Sequence, residues 1–163
     1  MNTWNGILTI FDIQHRNSKG DILWEQKNIN NILHQEGENF LLGVAFAGFD
    51  VPENYYLGLD NRGTITAGDV LDDIIAEPST GGYERQAIPS SGSFEMNFES
   101  SHWVATSPIV TFRATVATWG PVTNLFLATS ADDSGSLLST TILASAILLA
   151  ANDTVTMRIG MRL

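Results

Sequence analysis

Cysteine is absent from the 163-residue sequence, which excludes disulfide bonds and thiolate metal ligation. Charge is sparse: Asp, Glu, Lys and Arg make up 16% of the residues, against about 25% in an average soluble domain. Bases are scarcer than acids. Eight Lys and Arg face 18 Asp and Glu, for a formal net charge of −10, and the bases are scattered from Arg16 to Arg162. Phosphate backbones are bound by grouped cations, so nucleic acid is not an expected partner. An anionic membrane surface is disfavoured for the same reason. A long hydrophobic run is also missing. The stretch from Ile142 to Ala151 is interrupted by Ser145 and falls well short of the roughly 20 residues that span a bilayer. The start, Met1-Asn2-Thr3-Trp4-Asn5, lacks a basic flank followed by an apolar run, so no signal peptide is expected.

Apolar residues make up 44% of the chain, enough to build a core. The expected organisation is a single β-sandwich domain over residues 1–163, with an N-terminal hairpin and a helix within residues 1–48 packed on it. A low-charge surface rich in Thr, Ser, Asn and Gly suits a protein whose faces are covered by neighbours, and it suits an extracellular β-protein equally.

Period-two alternation dominates the pattern. Ile7 to Ile13 and Ile22 to Lys27 read as a hairpin around the turn residues Asn17-Ser18-Lys19-Gly20-Asp21. Over Asn30 to Phe46 the period changes: Leu33, Gly37, Phe40, Leu41 and Val44 share a helical face, and Asn30 or Asn31 is placed to cap its start. Gly37 and Gly43 weaken that helix but permit close packing on a sheet. Tyr55 to Leu59 reads as a short strand. Thr66-Ala67-Gly68-Asp69 reads as the start of a short helix to Ile74 or Ile75, stopped by Pro78. Phe94, Met96 and Phe98 alternate with polar residues, as do Val110, Phe112, Ala114 and Val116, and then Val155, Met157, Ile159, Met161 and Leu163. Alternation puts each apolar set on a core face. Leu125 to Ala128 is apolar on both faces and reads as a central strand covered twice. Ile142 to Leu149 fits either period; the turn at Asn152-Asp153 favours a broken strand. The expected fold is therefore mainly β, an antiparallel β-sandwich with one amphipathic α-helix after the N-terminal hairpin.

Candidate chemistry is thin. Glu95 and Glu99 share one strand face, but four residues at roughly 3.4 Å each separate them by about 13 Å, beyond the about 5–9.5 Å of glycosidase carboxylates. Asp69, Asp72, Asp73 and Glu77 form the densest acidic patch, and Asp132-Asp133-Ser134-Gly135 is a second oxygen-rich loop. Neither has EF-hand spacing, and turn and helix-start chemistry accounts for both. His15, His34 and His102 share no metal-ligand spacing, and nucleophile-elbow and phosphate-loop motifs are absent. The expectation is no catalytic residue, no metal and no cofactor. Trp4, Trp24, Trp103 and Trp119 invite a sugar-stacking reading, weighed against core, corner or subunit-interface packing. Trp119 precedes Gly120-Pro121, a strand-end corner, and Tyr83 and Arg85 share a strand face. Tyr83, Arg85, Trp103 and Trp119 are the interface candidates.

Several segments together carry a family resemblance. Lys27-Asn28-Ile29-Asn30-Asn31-Ile32-Leu33 with Glu36-Gly37, then Tyr55-Tyr56-Leu57-Gly58-Leu59, then Glu77-Pro78 with Gly82-Tyr83-Glu84-Arg85, follow one another in order. After them come Trp119-Gly120-Pro121-Val122-Thr123 through Ser130, Gly135-Ser136-Leu137-Leu138 and Asn152-Asp153-Thr154-Val155. This succession, over nearly the whole chain, resembles the small structural proteins of tailed-bacteriophage virions, variously described as fibre, tail, neck or head-decoration proteins. The resemblance implies a non-enzymatic virion subunit made in the host bacterial cytoplasm. Its partners would be other capsid, neck or tail proteins, and it would form a homo-oligomer, with a trimer favoured. The chain has no shaft-forming repeat, so a compact decoration, cement or adaptor module fits better than a complete fibre. The rival expectation is a carbohydrate-binding host-attachment module, which requires an exposed aromatic platform.

Overall fold

The computed structural model describes residues 7–79 and 81–162; Trp4, Thr80 and Leu163 lie outside them. Strands take 49% of the chain and helical turns 11%, so the fold is mainly β, with one helix after the N-terminal strands. Strand β1 (Ile7–Arg16) and strand β2 (Ile22–Leu33) form the opening hairpin. Its turn is organised by Asn17, whose Oδ1 accepts hydrogen bonds from the backbone N–H groups of Lys19 and Asp21, both at 2.9 Å.

Both strands outrun their sequence-predicted ends. Asn31, Ile32 and Leu33 pair with Thr141, Thr140 and Ser139, and these ladder bonds hold the chain extended past Asn30. Neither Asn30 nor Asn31 caps a helix. Helix α1 (Gln35–Leu42) begins after His34, whose backbone is extended, and runs on into a π-helical turn at Gly43–Ala47. Gly37 does what a glycine was expected to do: a Cβ there would collide with the backbone of Leu138, so its absence lets α1 lie against the sheet. Gly43 instead faces the ring of Phe49.

Among the described residues eight further strands follow: β3 (Asn54–Asp60), β4 (Gln86–Pro89), β5 (Glu95–Glu99), β6 (His102–Thr106), β7 (Val110–Arg113), β8 (Trp119–Ala128), β9 (Leu137–Leu149) and β10 (Thr154–Arg162). All pairings are antiparallel, in the order β4-β3-β8-β9-β2-β1-β10-β6-β5, with β7 also on β10. The long sheet curls into a half-barrel and gives a β-sandwich-like fold. Ile13, Leu57, Leu59, Phe112, Leu125, Leu127, Val155, Met157 and Ile159 meet in the main core. The stretch from Ile142 lies within β9, a 13-residue strand; the expected break survives only as register shifts against β8.

Three expectations are corrected. The segment after Thr66 forms a turn and a single 3-10 turn (Leu71–Asp73), not a helix, because Leu71 and Ile74 are drawn down onto Phe126, Ala128 and Leu137. Val116 is 77% exposed: β7 ends at Arg113 opposite Thr154, Ala114 makes the last backbone bonds, with Asn152 and Asp153 of the turn before β10, and Val116 lies in the bend that follows. Met96 and Phe98, expected on a core face, are 61% and 63% exposed. β5 sits at the end of the sheet, and all five of its residues are exposed.

Candidate functional site

The interface candidates divide into a buried group and an exposed residue. Tyr83 packs between Phe112, stacked at 6.2 Å, and Trp119, edge-on at 5.4 Å. Its hydroxyl donates to Glu77 Oε1 at 2.6 Å and accepts from the Leu59 N–H at 2.8 Å. Burial, then the neighbouring Glu77 carboxylate, pushes the phenol far above its ordinary range, so it is a fixed proton donor. Arg85 holds the same carboxylate with Nε at 3.1 Å from Oε1 and Nη2 at 2.7 Å from Oε2. It also reaches Asp133 Oδ1 at 2.6 Å and the Asp132 carbonyl at 2.6 Å, and its guanidinium lies 5.1 Å over the Phe126 ring. Burial disfavours its charge, but the hydrogen bonds it donates to Glu77 and Asp133 outweigh that and hold it protonated.

This node ties the turn after Pro78 to the loop after β8. Both oxygens of Glu77 accept hydrogen bonds from the chain itself. Trp119 is 2% exposed, and its Nε1 has no hydrogen-bond partner among the described residues. Gly81 and Gly82, at φ of +72° and +73°, give the turn a left-handed path that other residues adopt at a cost. A cleft of about 250 Å³ lies beside the node, lined by Asn61, Glu77, Pro78, Trp119 and Pro121 among others.

The acidic patch is not one site. Asp69 Oδ2 accepts from Arg62 Nη1 at 2.9 Å and its Oδ1 from the Thr66 hydroxyl at 2.6 Å. Burial raises the Asp69 carboxyl, but Thr66 and Arg62 hold it below its ordinary value. Asp73 accepts from the Val70 N–H at 2.9 Å, Asp72 is exposed, and Glu77 belongs to the node above. Asp132 accepts from Ser134 within its own loop. Among the described residues no group of three or more His, Asp or Glu is placed to hold a metal ion.

The histidines are dispersed as well. His15 meets Asp153 at 2.9 Å in a buried pair, and His102 stands opposite Glu99 at the end of a hairpin. His34 Nε2 is 2.8 Å from Thr140 Oγ1, which in turn accepts from Arg62 Nη2 at 3.3 Å. Arg62 also holds Asp60 at 2.5 Å. Burial pushes His34 below its ordinary value, so it is neutral at pH 7. Sequence reasoning missed Arg62 and Glu36. Glu36 Oε2 accepts from the backbone N–H groups of Leu71 and Leu137, at 3.1 and 2.6 Å, and clamps α1 to the sheet. A lone base and a helix-start acid carry no local sign of such distant partners.

Trp103 is the exposed member of the four interface candidates, at 58%. It lies on the β5–β6 hairpin, whose tip places Ser100 and Ser101 at φ of +49° and +69°. Two successive positive φ values give the left-handed turn that matches strand twist. The register sets Phe98 opposite Trp103 and Met96 opposite Ala105, so these four share one face, and the Phe98 and Trp103 rings meet at 5.4 Å. Glu95, Asn97 and Glu99 share the other face. At the foot of the hairpin Phe94 meets Tyr55 at 6.1 Å, and Tyr55 meets Phe40 of α1 at 6.3 Å. Trp24 is partly buried against the core. No protein-family model matches the chain, and no curated protein matches it.

Proposed function

We propose that this chain is a non-enzymatic structural subunit of a tailed-phage particle, a capsid decoration or cement protein or a neck or tail adaptor, working through protein–protein contacts. The succession of sequence landmarks supplies the particle. The observation that carries the assembly role is the hairpin face of Met96, Phe98 and Trp103, apolar and open to solvent. Contiguous exposed apolar surface marks interaction sites, and aromatic residues and Met are enriched in them. A second set of exposed apolar residues, Leu42 at the end of α1 with Phe46, Phe49 and Val51 after it, serves contact between copies in a closed homo-oligomer, a trimer in this reading.

A carbohydrate-binding reading draws on the exposure of Trp103. Sugar platforms set an aromatic ring among polar partners, whereas Trp103 is flanked by Phe98, Met96 and Ala105, which favours a protein partner. Fitting this chain into a reconstruction of the intact particle tests the proposal. The expected result is density for repeated copies with the hairpin in contact with neighbouring protein. Absence of the chain from mature particles, or glycan-array binding abolished by Trp103→Ala, overturns it.

A further inference from the structure

β5 ends the sheet on its side, and no described strand pairs with its outer edge. Main-chain N–H and C=O groups along such an edge are open to pairing with another chain. The side chains at this edge are sorted by face: Met96 and Phe98 on one, Glu95, Asn97 and Glu99 on the other. Neither glutamate has an ion-pair partner among the described residues. Arg162 shares their face but stands opposite Val104 on the far side of β6, two strand spacings or about 9.6 Å from the line of β5.

Charge selects the occupant. A second copy fits poorly, because full antiparallel self-pairing of β5 about Asn97 sets Glu95 of each copy against Glu99 of the other. Parallel self-pairing in register sets each glutamate beside its own counterpart. Like charges directly opposite are destabilising, and the formal charge of −10 on each chain adds general repulsion.

We propose that the free edge of β5 takes one extended segment of a different protein, with the pattern basic–apolar–any–apolar–basic. Resting on the assembly reading above, this names the partner's chemistry. The partner's backbone adds a strand beyond β5. Its two basic residues, four apart, meet Glu95 and Glu99, and its two apolar residues lie beside Met96 and Phe98, extending the Trp103 face.

The test titrates the purified full chain with a capped peptide, Thr-Lys-Val-Thr-Val-Lys-Thr, and with its counterpart carrying glutamate for lysine. Amide chemical shifts and hydrogen exchange are followed by NMR. The lysine peptide is expected to shift and protect the β5 amides and to bind at least about tenfold tighter than the glutamate peptide, the effect of two cross-strand charge pairs. The double variant E95Q/E99Q is expected to lose about tenfold in affinity for the lysine peptide, and M96S/F98S to weaken it independently, both with unchanged melting temperature. Equal binding of the two peptides overturns the proposal. So does protection away from β5, no binding at millimolar peptide, or protection of β5 by self-association of the chain alone. Absence of the chain from phage particles defeats the assembly reading and leaves these peptide outcomes untouched, so the two failures are separable.

Discussion

Two strands of this protein carry apolar side chains that meet opposite fates. In β8, Leu125 and Leu127 enter the main core while Phe126 and Ala128 enter a second cluster with Leu71, Ile74 and Leu137. In β5, Met96 and Phe98 face solvent. Alternation decides which side chains share a face. What that face meets is decided by the neighbours. β8 lies between β3 and β9 with the Leu71–Asp73 turn laid over it, whereas β5 pairs with β6 alone among the described strands. Residues of one chemical type thus stabilise the fold in one strand and remain available for contact in the other.

The largest effect lies on the covered side. Phe126→Ala is expected to cost about 3–5 kcal/mol, the range for deleting a buried aromatic ring, read from urea denaturation. Next comes the node that touches that ring. Arg85→Met leaves Glu77 with Tyr83 and no cation, and removing one member of a buried pair costs about 3 kcal/mol. Adding Glu77→Gln to it is expected to restore part of the loss, because no uncompensated carboxylate then remains. An additive double variant would show the two groups acting separately.

A pH titration of stability sharpens the same side. Burial holds His34 below its ordinary value, so below about pH 6.5 the unfolded chain binds more protons than the folded one. Stability is full at neutral pH and falls as pH drops through that range, and His34→Gln flattens the slope there. The Asp69 contribution is distinct: its carboxyl is held low, so its share persists until the pH falls below about 4. The smallest effect belongs to the open strand. Phe98→Ser is expected to change stability by no more than about 0.5 kcal/mol. A loss matching that of Phe126→Ala would erase the contrast between the two strands.

Much of this was legible in the sequence where the cause is local. The Asn17 turn and the double coverage of Leu125 to Ala128 follow from residues next to one another, and Gly37 signalled a close approach to the sheet though not its partner, Leu138. Tyr83 and Arg85 were paired in the sequence as sharing a strand face, but both precede β4 and lie on no strand; what joins them is Glu77, which read as part of an acidic patch. The turn and helix-start reading of that patch holds for Asp69 and Asp73, which accept from Thr66 and Val70; not legible was the second claim on Asp69 by Arg62, a base whose other contacts include Thr140 from β9. The helix start was misplaced because β9 prolongs β2, and no period in Asn30 to Leu33 reveals a partner more than 100 residues away. The exposure of β5 was hidden for the same reason: strand order, not alternation, determines it.

Hydroxyl-radical footprinting of the chain, free and within intact particles, tests the division of labour most directly, because Met96, Phe98 and Trp103 are readily oxidised side chains. The expected result is strong oxidation of all three in the free chain and protection of all three in the particle, with Phe126 protected in both. Equal oxidation of the hairpin residues in the two states would contradict the assignment of this face to assembly.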